Sequence, residues 1–500
     1  MSVETKHPQY DHEERRWATL RDAYAGEDAV RAQGTVYLPC PAGLEAQSQM
    51  YAAYNLRATW FGATERATEG LTGAVFRYPP ALNVGTDLEA HLQDVTLTGV
   101  PFQTFAQRVV REDVLMGRFG VLLDVPVMLP GAPNEARPYW VGYAPEEIIN
   151  WRTVQVGGDT RLALVVLRET LVEASGAWGS AKFFECTNKL QYRVLRLNEL
   201  GFYEVSIWEE VGREGDQAQF APTQVYLPLR GDRPLDFIPF QFFAPQDLEP
   251  DVEQSLLMPL VRINYRYFRH SADFEHALHL TACPTPWITG HKNTKSEFLI
   301  GSQVAWVLSE PEAKIGMLEY SGQGLTPTVD SLKTDIHDMA TLGARLLEAQ
   351  AIVAETATAV VTRHSGADSP MQTLVANAQE GLTRLLRWHA WWAGMTEEVQ
   401  DAAIVCELNR ELVSTQVDPT LINTAMQAFL QNTISFETWY AILQGQELTR
   451  PGVTADDERA LIEVQKERAF QEMQRQAAIT PFGRAGEDDE ENDDERREAA

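Results

Sequence analysis

Five hundred residues with 44% hydrophobic content are enough to build more than one cored domain. The net charge of −29, from 71 acids against 42 bases, argues against a nucleic-acid or anionic-membrane binder that works by charge attraction, since an acidic surface repels phosphates and cannot gain from releasing their counterions. The run Glu487–Glu498 holds nine acids against Arg496 and Arg497, so seven of those charges sit in a C-terminal tail and the other 22 belong to the body. Cys40, Cys186, Cys283 and Cys406 form no CxxC pair and read as buried, reduced thiols. No apolar run reaches membrane-spanning length, and the start MSVETKHPQYDHEERRW has no signal-peptide core.

In chain order, Tyr10–Tyr24 reads as a short helix closed by Gly26, and Glu45–Phe76 as one longer helix stopped by Pro79-Pro80. Phe102–Leu115 is an amphipathic helix that leads through Gly117 into an apolar strand, Phe119–Val125. The period then shortens. Trp140–Tyr143, Ile148–Trp151, Leu162–Arg168, Lys182–Cys186, Gln191–Leu197, Phe202–Trp208, Gln224–Leu229 and Ile238–Phe243 read as antiparallel strands of a meander or small barrel.

Residues 256–350 read as helix, strand-and-turn insert, helix. Leu260, Ile263, Tyr267, Phe274 and Leu278 form one stripe on the first helix. Leu332, Ile336, Met339, Gly343 and Leu346 recur at three and four on the second. Pro284–Gly324 is rich in Gly, Pro and strand formers, so the pair carries a small head on a stalk. Residues 351–368 read as a loop, Ser369 and Pro370 as the N-cap and first position of a helix reaching Gly394, and 397–478 as a helical domain of three or four helices. The acidic tail is expected to be solvated. The fold class on this reading is α+β, mainly helical.

Catalytic signatures are absent: there is no GxxxxGK[ST], HExxH or GxSxG. His270, Asp273, His276 and His279 recur every three residues, but the set drifts around the helix, so it reads as a polar flank and not as a metal site. Glu146-Glu147 and Glu209-Glu210 read as solvated charges, since adjacent strand residues point to opposite faces. Trp388, Trp391 and Trp392 read as packing residues beside Leu385 and Leu386. No catalytic, cofactor-binding or metal residues are assigned, and a mechanical or assembly role is expected. A carboxylate-dependent hydrolase built on the strand region is the alternative of a different class.

The chain resembles tailed-phage portal proteins, in particular a portal-like family long known only as a domain of unknown function. The resemblance rests on HPQYDHEERRWATLRDAYAGEDAVRAQGTVYLP, GLTGAVFRYPP, PFQTFAQRVVREDVLMGRFGVLLD, VVLRE, DFIPF, INYRYFRHSADFEHALH, PWITG, IGSQVAW, MATLGARLLEAQ and AETATAVVTRH, in that order. It spans about residues 7–396. It implies a ring, usually of twelve subunits, around a channel, with residues 1–250 as wing, 251–281 and 328–350 as stem helices, 282–327 as clip and 351–369 as tunnel loop. Residues 370–396 become the long wing helix, 397–480 a helical crown and 481–500 a disordered tail. Arg363, His364 and Thr362 would face the channel, and Trp287, His291, Lys292, Lys295 and Trp306 would meet the motor or connector. Tyr265 and Phe268, off the main stripe, would supply a second face for a neighbouring copy, and Gly343 a mid-stem seam.

The partners so implied are copies of itself, double-stranded DNA in transit, the terminase large subunit, major capsid and scaffolding proteins and a head–tail adaptor, with no membrane and no cofactor. The implied location is the virion, with host cytoplasm during assembly. Another head or neck component without a channel is the nearest alternative.

Overall fold

The computed structural model describes residues 2–126, 137–174, 183–214, 217–282, 285–290, 306, 311–318, 322, 324–346, 369–412, 419–431, 433–445, 448–450 and 453–479. They form two compact units, Met1–Val413 of mixed helix and sheet and Ser414–Ala500, whose described elements are helices.

In the first unit α1 (Pro8–Ala25) starts with Pro8 behind His7, whose ring accepts the Gln9 N–H, and stops at Gly26. α2 (Glu27–Ala32) follows directly. The stretch expected as one helix is two, α3 (Gln49–Arg57) and α4 (Ala63–Val75). The break has a tertiary cause. Ser271 Oγ accepts the Thr59 N–H at 2.9 Å and lies 3.0 Å from Thr59 O, so a distant hydroxyl satisfies backbone groups that a helix would otherwise pair. Trp60, freed from the helix, buries its ring against Tyr265 and Phe268.

β1 (Ala81–Asn83) and α5 (Thr86–His91) lead to α6 (Phe102–Met116). Gly117 ends α6 at φ +70°, where a Cβ would also lie 2.7 Å from Ser255 N; glycine alone fits both demands. β2 (Phe119–Asp124) is buried along its whole length and takes the centre of a three-stranded sheet, between β3 (Tyr139–Tyr143) and a later strand.

β4 (Ile148–Val156), β5 (Asp159–Ala174), β6 (Cys186–Leu197), β7 (Tyr203–Glu214) and β8 (Gln217–Tyr226) form a five-stranded antiparallel meander in chain order. These strands run longer than their hydrophobic cores, because ladder bonds continue past the buried segment. Residues 183–185, expected within a strand, form a turn ahead of β6, and Cys186 is exposed, contrary to the expectation for the thiols; Cys406 is buried. A small hairpin, β9 (Leu229–Arg230) and β10 (Arg233–Pro234), precedes β11 (Phe240–Phe243), which pairs with β2 from its other side.

The two larger sheets are joined by a polar knot. Arg193 on β6 bonds Asp124 on β2 and Glu169 on β5, each at 2.8 Å, and Glu169 also accepts from Tyr143 and Gln191. Burial pushes the Asp124 carboxyl up and the Arg193 guanidinium opposes it.

The chain continues with α7 (Met258–Ala282), β12 (Thr285–Thr289), β13 (Lys314–Leu318), α8 (Leu325–Arg345), α9 (Pro370–Trp392) and β14 (Val405–Glu407). Ser369 and Gln372 cap α9 reciprocally, Ser369 Oγ accepting the Gln372 N–H at 3.1 Å and Gln372 Oε1 the Ser369 N–H at 2.8 Å. β14 pairs with β1, which ties residues 405–412 to the first unit. The boundary of the C-terminal helical domain therefore falls near 413 and not at 397. Strand pairing with residues 81–83 decides it, and a helix-period scan does not see that contact.

The second unit contains α10 (Pro419–Leu430), α11 (Phe436–Gly445) and α12 (Ala455–Ile479). Phe429 stacks on Trp439 with centroids 6.0 Å apart, and Thr454 caps α12 through the Asp457 N–H. The acidic tail lies outside the described residues.

Candidate functional site

The first half of α7 is rooted in the body. Tyr265 Oη donates to Thr19 O at 3.0 Å, Asn264 Nδ2 to Thr64 Oγ1 at 3.2 Å, and Tyr54 Oη to Asp273 Oδ1 at 2.6 Å. Its buried residues run from Met258 to Ala272; beyond that point every side chain is at least partly exposed. With 25 residues the helix is about 37 Å long, so roughly its outer ten residues form a stalk.

α8 packs antiparallel on α7. A Cβ at Gly343 would lie 4.0 Å from Leu260, Arg266 reaches Asp335 and Asp338, and Gly322 faces Thr281. The apolar part of the seam is Leu260, Met339 and Ala63, with Ile263, Tyr267, Leu342 and Phe61 partly buried around them. The polar part is a fork. Arg266 Nε donates to Asp335 Oδ1 at 2.7 Å and Nη2 to Asp338 Oδ2 at 3.0 Å, while His270 Nδ1 lies 2.8 Å from Asp335 Oδ2. A guanidinium and a ring nitrogen thus share one buried carboxylate.

The predicted stem residues are not equivalent. Leu260, Ile263, Tyr267 and Met339 meet in the seam, and Leu346 packs on the main core. Phe274 and Leu332 are half-buried, and Ile336 is exposed. Tyr265 and Phe268 do not form a free second face: both are buried within the chain, against Trp60 and Tyr37. Gly343 sits near the C-terminal end of α8 and not at mid-stem. The direction of the stripe was legible, but which face turned to the body depended on α1, α3 and α4.

At the far end β12 and β13 pair in register from Thr285↔Leu318 to Thr289↔Lys314. The Trp287 indole lies across Gly316, where any Cβ would be 2.5 Å from the ring. Trp287, Ile315, Met317 and Leu318 are all exposed, and a two-stranded hairpin with apolar faces is marginal in water by itself. Trp306 is half-buried. His291, Lys292, Lys295, Thr362, Arg363 and His364, with the proposed tunnel loop, lie outside the described residues.

The histidine series on α7 separates by face. His270 goes to Asp335 on α8, whereas Asp273 goes to Tyr54 on α3 and His276 sets its edge against the same tyrosine. Among the described residues no group of three or more His, Cys, Asp or Glu could hold a metal ion. Glu146 and Glu147 are not free loop charges: Glu146 takes Arg21 Nε at 3.0 Å, and Glu147 accepts the Ala144 N–H at 2.7 Å. The tryptophans of α9 pack, with Trp388 and Trp391 on Phe237 and the Trp392 indole N–H donating to Leu229 O.

One buried polar site had no distinctive sequence signal beyond a histidine in an apolar stripe. Trp140 Nε1–H donates to His389 Nδ1 at 3.2 Å, and His389 Nε2 lies 2.9 Å from His91 Nδ1. With Nδ1 accepting, the neutral ring carries its proton on Nε2 and donates it to His91. Burial, then the nearby His91 and Arg137, push His389 down to about 3.

Residues 256–393, which contain the stalk and α9, match a family described as a domain of unknown function, DUF4055. No curated protein matches the chain. Among solved structures, a chain from the neck of a native gene transfer agent particle computed with C12 symmetry is 11% identical, with 83% of this chain and 98% of that chain covered and a TM-score of 0.35. A chain from the virion of the native particle gives 11% identity, 84% and 99% coverage and 0.35. One from the neck of the empty particle computed with C6 symmetry gives 10%, 76% and 90%, and 0.34.

Proposed function

We propose that this chain is the repeating, non-enzymatic subunit of a portal ring, which encloses a channel for double-stranded DNA at one vertex of a phage head. The observation that carries the proposal is the stalk. Its inner seam is filled by Leu260, Met339 and the Arg266–Asp335 fork, yet Leu278, Ile336 and the hairpin residues Trp287, Ile315, Met317 and Leu318 remain uncovered. A helix pair with a satisfied seam, exposed apolar residues at Leu278 and Ile336 and an apolar hairpin at its end gains burial by packing between two copies of itself. Repeating one heterologous contact closes a ring.

The charge supports the same reading. Across the whole chain acids outnumber bases 71 to 42, a balance that disfavours holding DNA by collected phosphates and suits a channel in which the polymer slides. The resemblance of the sequence to portal proteins adds the motor, the capsid and the head–tail adaptor as partners.

Particle mass and shape test the proposal. Twelve chains of 56.1 kDa give about 670 kDa by light scattering and annular particles with a central hole by negative stain. A compact monomer that persists at high protein concentration overturns the reading.

A further inference from the structure

The turn at residues 94–100, α6 and the outer edge of β3 enclose a groove of about 560 Å³. β3 is an edge strand of the β11–β2–β3 sheet. Its Trp140 N–H donates outward to Val95 O at 2.7 Å, so by the alternation of an antiparallel ladder Gly142 also turns its N–H and C=O away from β2. Those two groups of Gly142 have no partner among the described residues, and they open into the groove. Beyond Trp140, whose N–H is taken by Val95, the edge leaves the two Gly142 groups open to pairing with another strand.

The same groove is lined by Arg108 and Arg111, one turn apart on α6. Neither makes a hydrogen bond or ion pair among the described residues; Arg108 lies over the Phe119 ring at 5.6 Å. Nearby Arg21, by contrast, binds both Glu112 and Glu146, while the charge of Arg108 reaches the Glu147 carboxyl without an ion pair. On the opposite rim Leu97 is held at φ +61°, left-handed for a residue with a branched side chain, while Thr96 and Thr98 hydroxyls meet at 2.7 Å. Strain of that kind persists where the surroundings impose it, and it gathers at ligand clamps.

We propose that this groove docks an extended acidic segment of a partner protein, which adds as a strand to β3 at Gly142 and places carboxylates on Arg108 and Arg111. The backbone edge supplies register and the guanidinium pair supplies charge selection. The groove is far larger than an inorganic anion needs, and the acidity of the whole chain disfavours a nucleic-acid strand.

The test is fluorescence anisotropy of the full-length chain with a fluorescein-labelled peptide of alternating valine and glutamate. Binding should saturate, and the double variant Arg108→Glu/Arg111→Glu should weaken it about tenfold or more. An N-methylated peptide with the same charges should also bind more weakly, because it cannot pair with the strand edge. Thermal melts of the variant matching those of the parent chain establish that its fold is intact. Absence of saturable binding, equal binding of the N-methylated peptide, or displacement by inorganic phosphate or an oligonucleotide as effectively as by unlabelled peptide each overturns the proposal.

Discussion

Arg266 Nη2 and Asp335 Oδ1 meet across the α7–α8 seam at 2.6 Å, with the carboxylate side chain 2% exposed and the guanidinium 42% exposed. Removing Asp335 strands two donors at once, Arg266 and His270, but both can turn to water. Asp335→Ala is therefore expected to cost about 1–3 kcal/mol. Asp338→Ala, which removes a carboxylate 41% exposed, should cost under about 1 kcal/mol. Hydrogen exchange along α8 reads the difference directly, with a larger loss of protection in the Asp335 variant.

Gly381 on α9 tests packing against propensity. An added methyl would lie 2.5 Å from Phe243 Cε1, and Phe243 is fully buried. Alanine improves helix propensity by about 1 kcal/mol but overpacks by about 1–3 kcal/mol, so Gly381→Ala should lower the denaturation midpoint. Gly73→Ala on α4, where nothing lies within 4 Å, should raise it.

His389 gives an acid-side prediction. Its folded pKa, about 3, lies below the ordinary 6.5, so the unfolded chain binds the extra proton and stability falls as pH drops through 6.5 toward 3. Between pH 7 and 5 this amounts to about 1–2 kcal/mol. His389→Gln should be less stable at pH 7 yet lose less on acidification, as followed by urea midpoints at the two pH values. Equal losses in both proteins would remove His389 from the account.

Asp113 behaves in the opposite sense. It is fully buried on α6, neither oxygen has a hydrogen-bond partner among the described residues, and desolvation followed by Glu253 raises its pKa well above 3.8. The folded carboxyl keeps its proton while the unfolded one ionises. Stability is therefore full below about pH 3.8 and declines as pH rises toward the folded pKa. Asp113→Leu should stabilise by about 1–2 kcal/mol at pH 8 and by less at pH 4. Denaturant titration at the two pH values measures this.

Much of the fold could be read from the residues alone, for reasons tied to particular positions. Gly117 and the Ser369-Pro370 pair mark helix boundaries through local backbone chemistry, and α6 ends and α9 begins where they predict. The meander was legible from period two. The α3–α4 break was not, because it depends on Ser271, 212 residues away. For the same reason the sequence showed one apolar stripe on α7 with Tyr265 and Phe268 off it, but not which face met the body: Tyr265 and Phe268 went inward and Leu260 went to α8. The Arg266 fork left only a faint trace, two aspartates spaced by three on α8, and the groove beside β3 left none, since its parts are joined only by folding.

The bond between Ser271 and Thr59 also sets an order of events during synthesis. Helices α3 and α4 leave the ribosome with Trp60 and the Thr59 peptide groups unpartnered, and the hydroxyl that completes them is 212 residues behind. At about 5–20 residues per second that wait is roughly 10–40 s. For that interval the nascent N-terminal region carries an unburied aromatic patch that later forms the root of the stalk, so its solubility depends on chaperone cover or provisional collapse until α7 arrives.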